Sequence, residues 1–163
     1  MITHFYGSKN DAVLQTLPEV SLNTWTHVVQ PSESEFQFLI DTYNLDEAII
    51  KYICDFFEVP RFEQDQSISY FFTRYPYDLE DIDIDTAPIL IILGETFLIT
   101  ISQQEVPFLD AFIQGKRACV TEQKTELFIE FLRALITAHD QKLTQIRKMV
   151  YRDMERIRSI RGR

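Results

Sequence analysis

Between residues 121 and 163 the chain contains no Pro, and its only Gly there is Gly162, so nothing in the sequence stops a helix once it has begun. Thr121 is placed to cap the start, and Glu122 and Glu126 stand where the positive end of the helix dipole favours them. A helix over roughly 123–160 is on the order of 55 Å long at 1.5 Å per residue, against about 11–12 residues for a typical globular helix. Its halves differ. Across residues 127–138 only Glu130, Arg133 and Thr137 interrupt apolar side chains, which predicts burial on most sides. Beyond His139 the apolar residues thin to Leu143, Ile146, Val150, Ile157 and Ile160, with Asp153 at the one seam position that should be apolar. That spacing is heptad-like and calls for a partner helix. The expectation is that the chain is the first part of something longer.

Ahead of the helix, residues 2–6, 12–17 and 23–29 read as strands, the first two joined by Gly7-Ser8-Lys9-Asn10 and the third holding the sole Trp, Trp25. After Pro31, Ser32-Glu33-Ser34-Glu35 has the form of a capping box opening a helix with Phe36, Leu39 and Ile40 on one face. Asn44 to Glu47 repeats the device before a helix over 48–57, which Pro60 ends. Residues 61–64 and 67–75 read as strands, Ile68, Tyr70 and Phe72 alternating with Ser69, Phe71 and Thr73. A polar loop with Asp78, Glu80, Asp81, Asp83 and Asp85 follows. Residues 89–93 are apolar without alternation, as in a strand covered on both faces, and Gly94-Glu95 turns the chain back into a strand over 97–101. Pro107 opens a short helix that Gly115 closes. The order of elements indicates an α/β fold: a mixed sheet sandwiched between helices (residues 1–120), followed by the long C-terminal helix (121–163), as one domain.

Composition narrows the partners. The net charge is −9, yet residues 147–163 hold seven Lys/Arg against Asp153 and Glu155, leaving the remainder at −14. Nucleic acid is a poor partner for such a body and divalent cations a better one. The start of the chain lacks the basic and apolar regions of a signal peptide, and no stretch reaches the ~20 apolar residues of a spanning helix. Cys54 and Cys119 are expected to be reduced, buried thiols. His4, His27 and His139 are scattered and neither Cys lies in a CxxC, so a structural zinc site is not expected. With four Gly there is no phosphate-cradling loop, and Ser67 and Ser69 lack a His–Asp apparatus. No enzyme chemistry is indicated.

Several segments occur together in an order that resembles the N-terminal cytosolic domain of CorA-type divalent cation transporters. These are Trp25, Pro31 and its helix, then Leu45 leading into Asp55-Phe56-Phe57-Glu58-Val59-Pro60-Arg61-Phe62-Glu63, which resembles the family's D-x-x-E-x-P-R-x-E segment. Phe97-Leu98-Ile99-Thr100-Ile101 is similar to its FLITI strand, and the terminal helix to the start of its helical arm. The resemblance covers nearly the whole chain. It implies a homopentameric channel at the cell membrane whose cytosolic funnel this domain helps to form, the stalk and two membrane helices lying further along. The Gly-Met-Asn signature of the pore mouth is not in this sequence. ZntB-type zinc transporters share the same soluble domain, so the ion is not fixed. As a fragment the domain is expected to be soluble, a monomer or weak dimer, and to need no cofactor for folding.

The resemblance also implies that acidic residues between neighbouring domains sense intracellular Mg²⁺. Asp55 and Glu58, three apart at a helix end, are the candidate ligands, since Mg²⁺ takes one or two carboxylates and keeps much of its water. The alternative is that the pair caps and solvates the helix end or pairs with Arg61. Arg61 and Glu63 are expected to be structural, and the acidic loop to be solvated. A reading from another class is a free-standing interaction module whose helical seam binds a partner helix.

Overall fold

Because side chains alternate along a strand, each strand can feed two layers at once, and the strands among the described residues all lie in one sheet. The structure, a computed structural model, describes residues 1–10, 13–78 and 84–161. The strands are β1 (Ile2–Tyr6), β2 (Gln15–Leu17), β3 (Thr24–Val29), β4 (Arg61–Asp65), β5 (Ile68–Asp78), β6 (Ile84–Leu93) and β7 (Phe97–Ser102). They lie in the order β2-β1-β3-β7-β6-β5-β4, with β3 and β7 parallel and every other pair antiparallel. The apolar run 89–93 is the covered strand its composition predicts: Ile89, Leu90, Ile91 and Ile92 are all fully buried, odd and even positions facing opposite cores.

One face carries Val28, Tyr70, Phe72, Leu90 and Ile99 and is covered by α1 (Glu33–Tyr43) and α2 (Glu47–Lys51) through Phe36, Leu39 and Ile50. The other carries Trp25, Tyr75, Ile89, Ile91 and Leu98 and is covered by α3 (Asp110–Ile113) and by the first half of α4 (Lys124–Arg161) through Phe112, Phe131 and Leu135. The result is the expected mixed sheet between helices, with a 38-residue helix at the end of the chain.

Local chemistry sets the boundaries. The capping box at Ser32 and Glu35 forms as predicted, with both reciprocal hydrogen bonds present. Asn44 instead closes α1 in the left-handed region (φ 53°), and Asp46 caps α2, accepting from the Ile49 N–H at 2.9 Å. That second helix is shorter than 48–57: a 3₁₀ turn over Tyr52–Cys54 ends it, because Asp55 turns extended and its carboxylate takes the Phe57 N–H at 2.9 Å. β2 is limited to Gln15–Leu17, Ala12 lying outside the described residues. Of the polar loop's residues Asp78 ends β5 and Asp85 lies in β6, which begins at Ile84; Glu80, Asp81 and Asp83 lie outside the described residues. Of the two free thiols, Cys54 is exposed rather than buried, while Cys119 is half-buried and pushed up to about 12 by desolvation.

Thr121 does not cap α4. It is buried, its N–H donating to the Gly7 carbonyl at 2.9 Å and its hydroxyl accepting from the Gly7 N–H at 3.0 Å. The helix starts three residues later, and Thr121 ties its approach to the end of β1. Gly7 has to be glycine for this contact, since a Cβ there would lie 2.0 Å from the Cys119 carbonyl oxygen.

Candidate functional site

Asp55 and Glu58 lie not on a helix but at the two ends of a tight turn, closed by the Glu58 N–H donating to the Asp55 carbonyl at 3.1 Å. Their environments differ. Glu58 is 8% exposed; its carboxylate accepts from the Val59 N–H at 3.1 Å and forms an ion pair with Arg61. Arg61 also donates to Glu63 at 2.6 Å, and its guanidinium lies over the Phe72 ring (4.1 Å) and the Tyr52 ring (4.7 Å). The pairing of Arg61 with acidic neighbours is therefore structural, as its spacing suggests. Asp55 is exposed, beside the exposed Phe57 and Val59.

For a Mg²⁺ ion these two groups are not equivalent. Asp55 fits as a single carboxylate ligand to a largely hydrated ion. Glu58 does not fit as a second, because its carboxylate is buried and already held by the Arg61 guanidinium and the Val59 N–H. Among the described residues no group of three or more His, Cys, Asp or Glu is placed to hold a metal.

Sequence reasoning missed the residue that holds this turn in place. Arg74 of β5 donates from Nη1 to the carbonyls of Phe56 (2.8 Å) and Glu58 (2.9 Å), and from Nε and Nη2 to Thr86 of β6. The Arg74 carbonyl in turn accepts from His139 Nε2 of α4 at 2.9 Å. One residue thus joins the acidic turn, the long hairpin and the long helix. An Arg inside a strand otherwise rich in aromatics was the available signal.

On α4 the docked half buries Leu127, Phe128, Phe131, Ala134 and Leu135, but Ile129 is 44% and Ile136 61% exposed, so this half is covered on one side rather than most. The reason is that, among the described residues, the sheet, the 3₁₀ turn Pro107–Leu109 and α3 cover it from one side. Lys142 pairs with Asp78, and beyond it every residue from 143 to 161 is exposed except the half-buried Met149. Leu143, Ile146, Val150, Ile157 and Ile160 are 40–74% exposed. These 19 residues span about 28 Å, and no helix among the described residues is long and apolar enough to cross a membrane. Ser67 and Ser69 line a cleft of about 550 Å³ beside the start of α4 with Glu95, Glu122 and Glu126, and no His or Cys lines it.

A three-layer α/β domain ending in a long, half-covered helix is a recurrent architecture. The chain superposes on the complete CorA magnesium transporter from Methanocaldococcus jannaschii with a TM-score of 0.76 at 19% identity, over 96% of this chain and 50% of that one. It superposes on the soluble domain of the same transporter at 0.77 and 20% identity, covering 96% of this chain and 64% of that one. The ZntB cytoplasmic domain from Vibrio parahaemolyticus gives 0.71 at 14% identity, over 92% and 63%. These likenesses define the class of fold, and the chain spans half the length of the complete CorA structure.

A comparison with curated proteins gave no match. Residues 22–159, however, match the family described as CorA-like Mg2+ transporter protein, and the chain belongs to that family.

Proposed function

We propose that this chain is the cation-sensing, pore-gating domain of a CorA-like Mg²⁺ transporter, on the cytoplasmic face of the membrane. The observation that carries the reading is the family match over residues 22–159. The exposed edge of α4 supports it, because an apolar seam left in water is stabilised only when another part of the assembly covers it. Asp55 supplies the sensing carboxylate in this reading. In a pentamer, Mg²⁺ between Asp55 and an acidic group of the neighbouring domain screens their repulsion and holds the funnel closed. Loss of the ion lets the subunits separate and the pore hydrate. Glu58 and Arg74 act as positioning residues, fixing the turn that presents Asp55. Pentamer formation depends on the stalk and membrane helices, so the chain alone is a monomer or weak dimer in light scattering.

The test is flux in the full-length transporter reconstituted in vesicles. Asp55→Asn should weaken inhibition by internal Mg²⁺ while leaving open-state flux intact; inhibition unchanged from wild type would count against Asp55. The likeness to the ZntB domain supports a second reading of the cargo, and uptake of Zn²⁺ without uptake of Mg²⁺ would select it.

A further inference from the structure

The charge of this chain is divided along its length. Residues 147–161 hold Arg147, Lys148, Arg152, Arg156, Arg158 and Arg161 against Asp153 and Glu155, while residues 1–146 carry −14. All eight of these charged residues are exposed, on the half of α4 that stands clear of the body. Among the described residues only Arg158 of the six cations is ion-paired, with Glu155 at 3.1 Å. Arg152 stands about 15 Å along the helix beyond Lys142, which pairs with Asp78 of the body. That is roughly twice the Debye length of about 8 Å at physiological salt. The acidic body therefore does not neutralise the basic end of the arm.

Arg147, Lys148, Tyr151 and Arg152 line an open hollow of about 640 Å³ on this arm. Their spacing creates it: residues four apart are neighbours on a helix surface, so Arg147 with Tyr151 and Lys148 with Arg152 form two adjacent columns. Arg152 Nε donates to the Lys148 carbonyl at 3.3 Å, and Arg156 continues that column one turn further. Lys148 and Arg152 each stand two residues from Val150. At about 100° per residue this puts them on the side of the helix away from the apolar seam, so covering the seam leaves the hollow in water. Three cations around it suit a phosphodiester, to which guanidinium and ammonium groups donate charge-assisted hydrogen bonds. Tyr151 adds an apolar ring with a polar tip, the form that suits the boundary between headgroups and hydrocarbon. A whole leaflet of such headgroups also orients the molecule, because it attracts the arm and repels the body.

We propose that Arg147, Lys148, Tyr151 and Arg152 form a docking surface for the anionic phospholipid headgroups of the cytoplasmic leaflet, through which the arm of α4 rests against the membrane. This rests on the reading above, which puts the chain at the cytoplasmic face and covers the seam within the assembly. Its test reads lipid binding and not flux, so it can fail while the sensing function stands, and the reverse.

The probes are vesicles of phosphatidylcholine containing about one-third phosphatidylserine and vesicles of phosphatidylcholine alone, each co-sedimented with the whole chain. At about 50 mM salt the chain should bind the anionic vesicles at least about tenfold more tightly than the neutral ones, the difference closing near 1 M salt, where the Debye length is about 3 Å. One cation near such a surface is worth roughly fivefold in binding, so Arg147→Gln, Lys148→Gln and Arg152→Gln together should weaken it by at least about tenfold. All three positions are exposed, and Gln keeps the helix. Val150→Ser with Ile157→Ser, which makes the seam polar without changing the charge, should alter binding by no more than about twofold. Equal binding to both vesicles, binding to neither, or a triple Gln variant that binds like wild type overturns the proposal. So does a loss in the Ser variant as large as in the Gln variant, which would mean that the seam inserts instead. Displacement by inorganic phosphate beyond that by chloride at equal ionic strength would assign the hollow to free phosphate, and a DNA duplex that holds the chain against the anionic vesicles would assign it to nucleic acid; either overturns it.

Discussion

Burial keeps His27 neutral. It sits on β3 against the Trp25 ring (centroids 5.6 Å apart), its Nδ1 2.8 Å from the Thr100 hydroxyl. That hydroxyl accepts from Trp25 Nε1 at 2.9 Å, and a neutral His27 can accept its proton at Nδ1. Desolvation lowers the folded pKa to about 4 from 6.5. The unfolded chain takes up a proton near 6.5 and the folded chain only near 4, so stability is complete above that window and falls as pH drops through it, by about 3 kcal/mol in all. His27→Gln should flatten the pH dependence of urea unfolding between pH 6.5 and 4 by about one proton; an unchanged slope would show that His27 is not a source of it. At Arg74 the logic is hydrogen bonding. Arg74→Met strands the carbonyls of Phe56 and Glu58 and should cost at least about 2 kcal/mol in the same assay.

At the scale of elements, α4 is two helices in one. The first half is core: Phe131 is fully buried with ring centroids 4.9 Å from both Trp25 and Phe112. Phe131→Ala should lower unfolding stability by about 3–5 kcal/mol. Val150→Asp, on the exposed half, should change it by no more than about 0.5 kcal/mol, and a larger loss would mean that the seam is covered within this chain. What could be read from sequence follows the same division. Period and capping chemistry revealed the covered strand β6, the capping box at Ser32 and the long final helix, because each depends on neighbours in sequence. The end of α2 and the role of Thr121 depended on a side chain competing for backbone N–H groups and on Gly7, more than a hundred residues away. The exposure of Ile129 and Ile136 was hidden because an apolar residue in a rich run looks the same whether it faces this domain or a neighbour. Asp55 and Glu58 were legible as a pair, but the burial that separates their roles comes from Arg61 and Phe72, brought alongside by the strands.

For the whole molecule, the sheet and its two helical layers are complete, with no buried side-chain polar atom unpartnered among the described residues, whereas the last 19 residues described have nothing to pack on. A lone helix of that length in water is marginal. The structure therefore describes a body that is finished and an arm awaiting cover. Hydrogen–deuterium exchange resolved by peptide measures this most directly, comparing residues 143–161 in the isolated chain and in the full-length transporter. The account predicts fast exchange there in the isolated chain, beside a protected stretch at 127–135, and strong protection of both in the transporter. Equal exchange of residues 143–161 in the two proteins would contradict it.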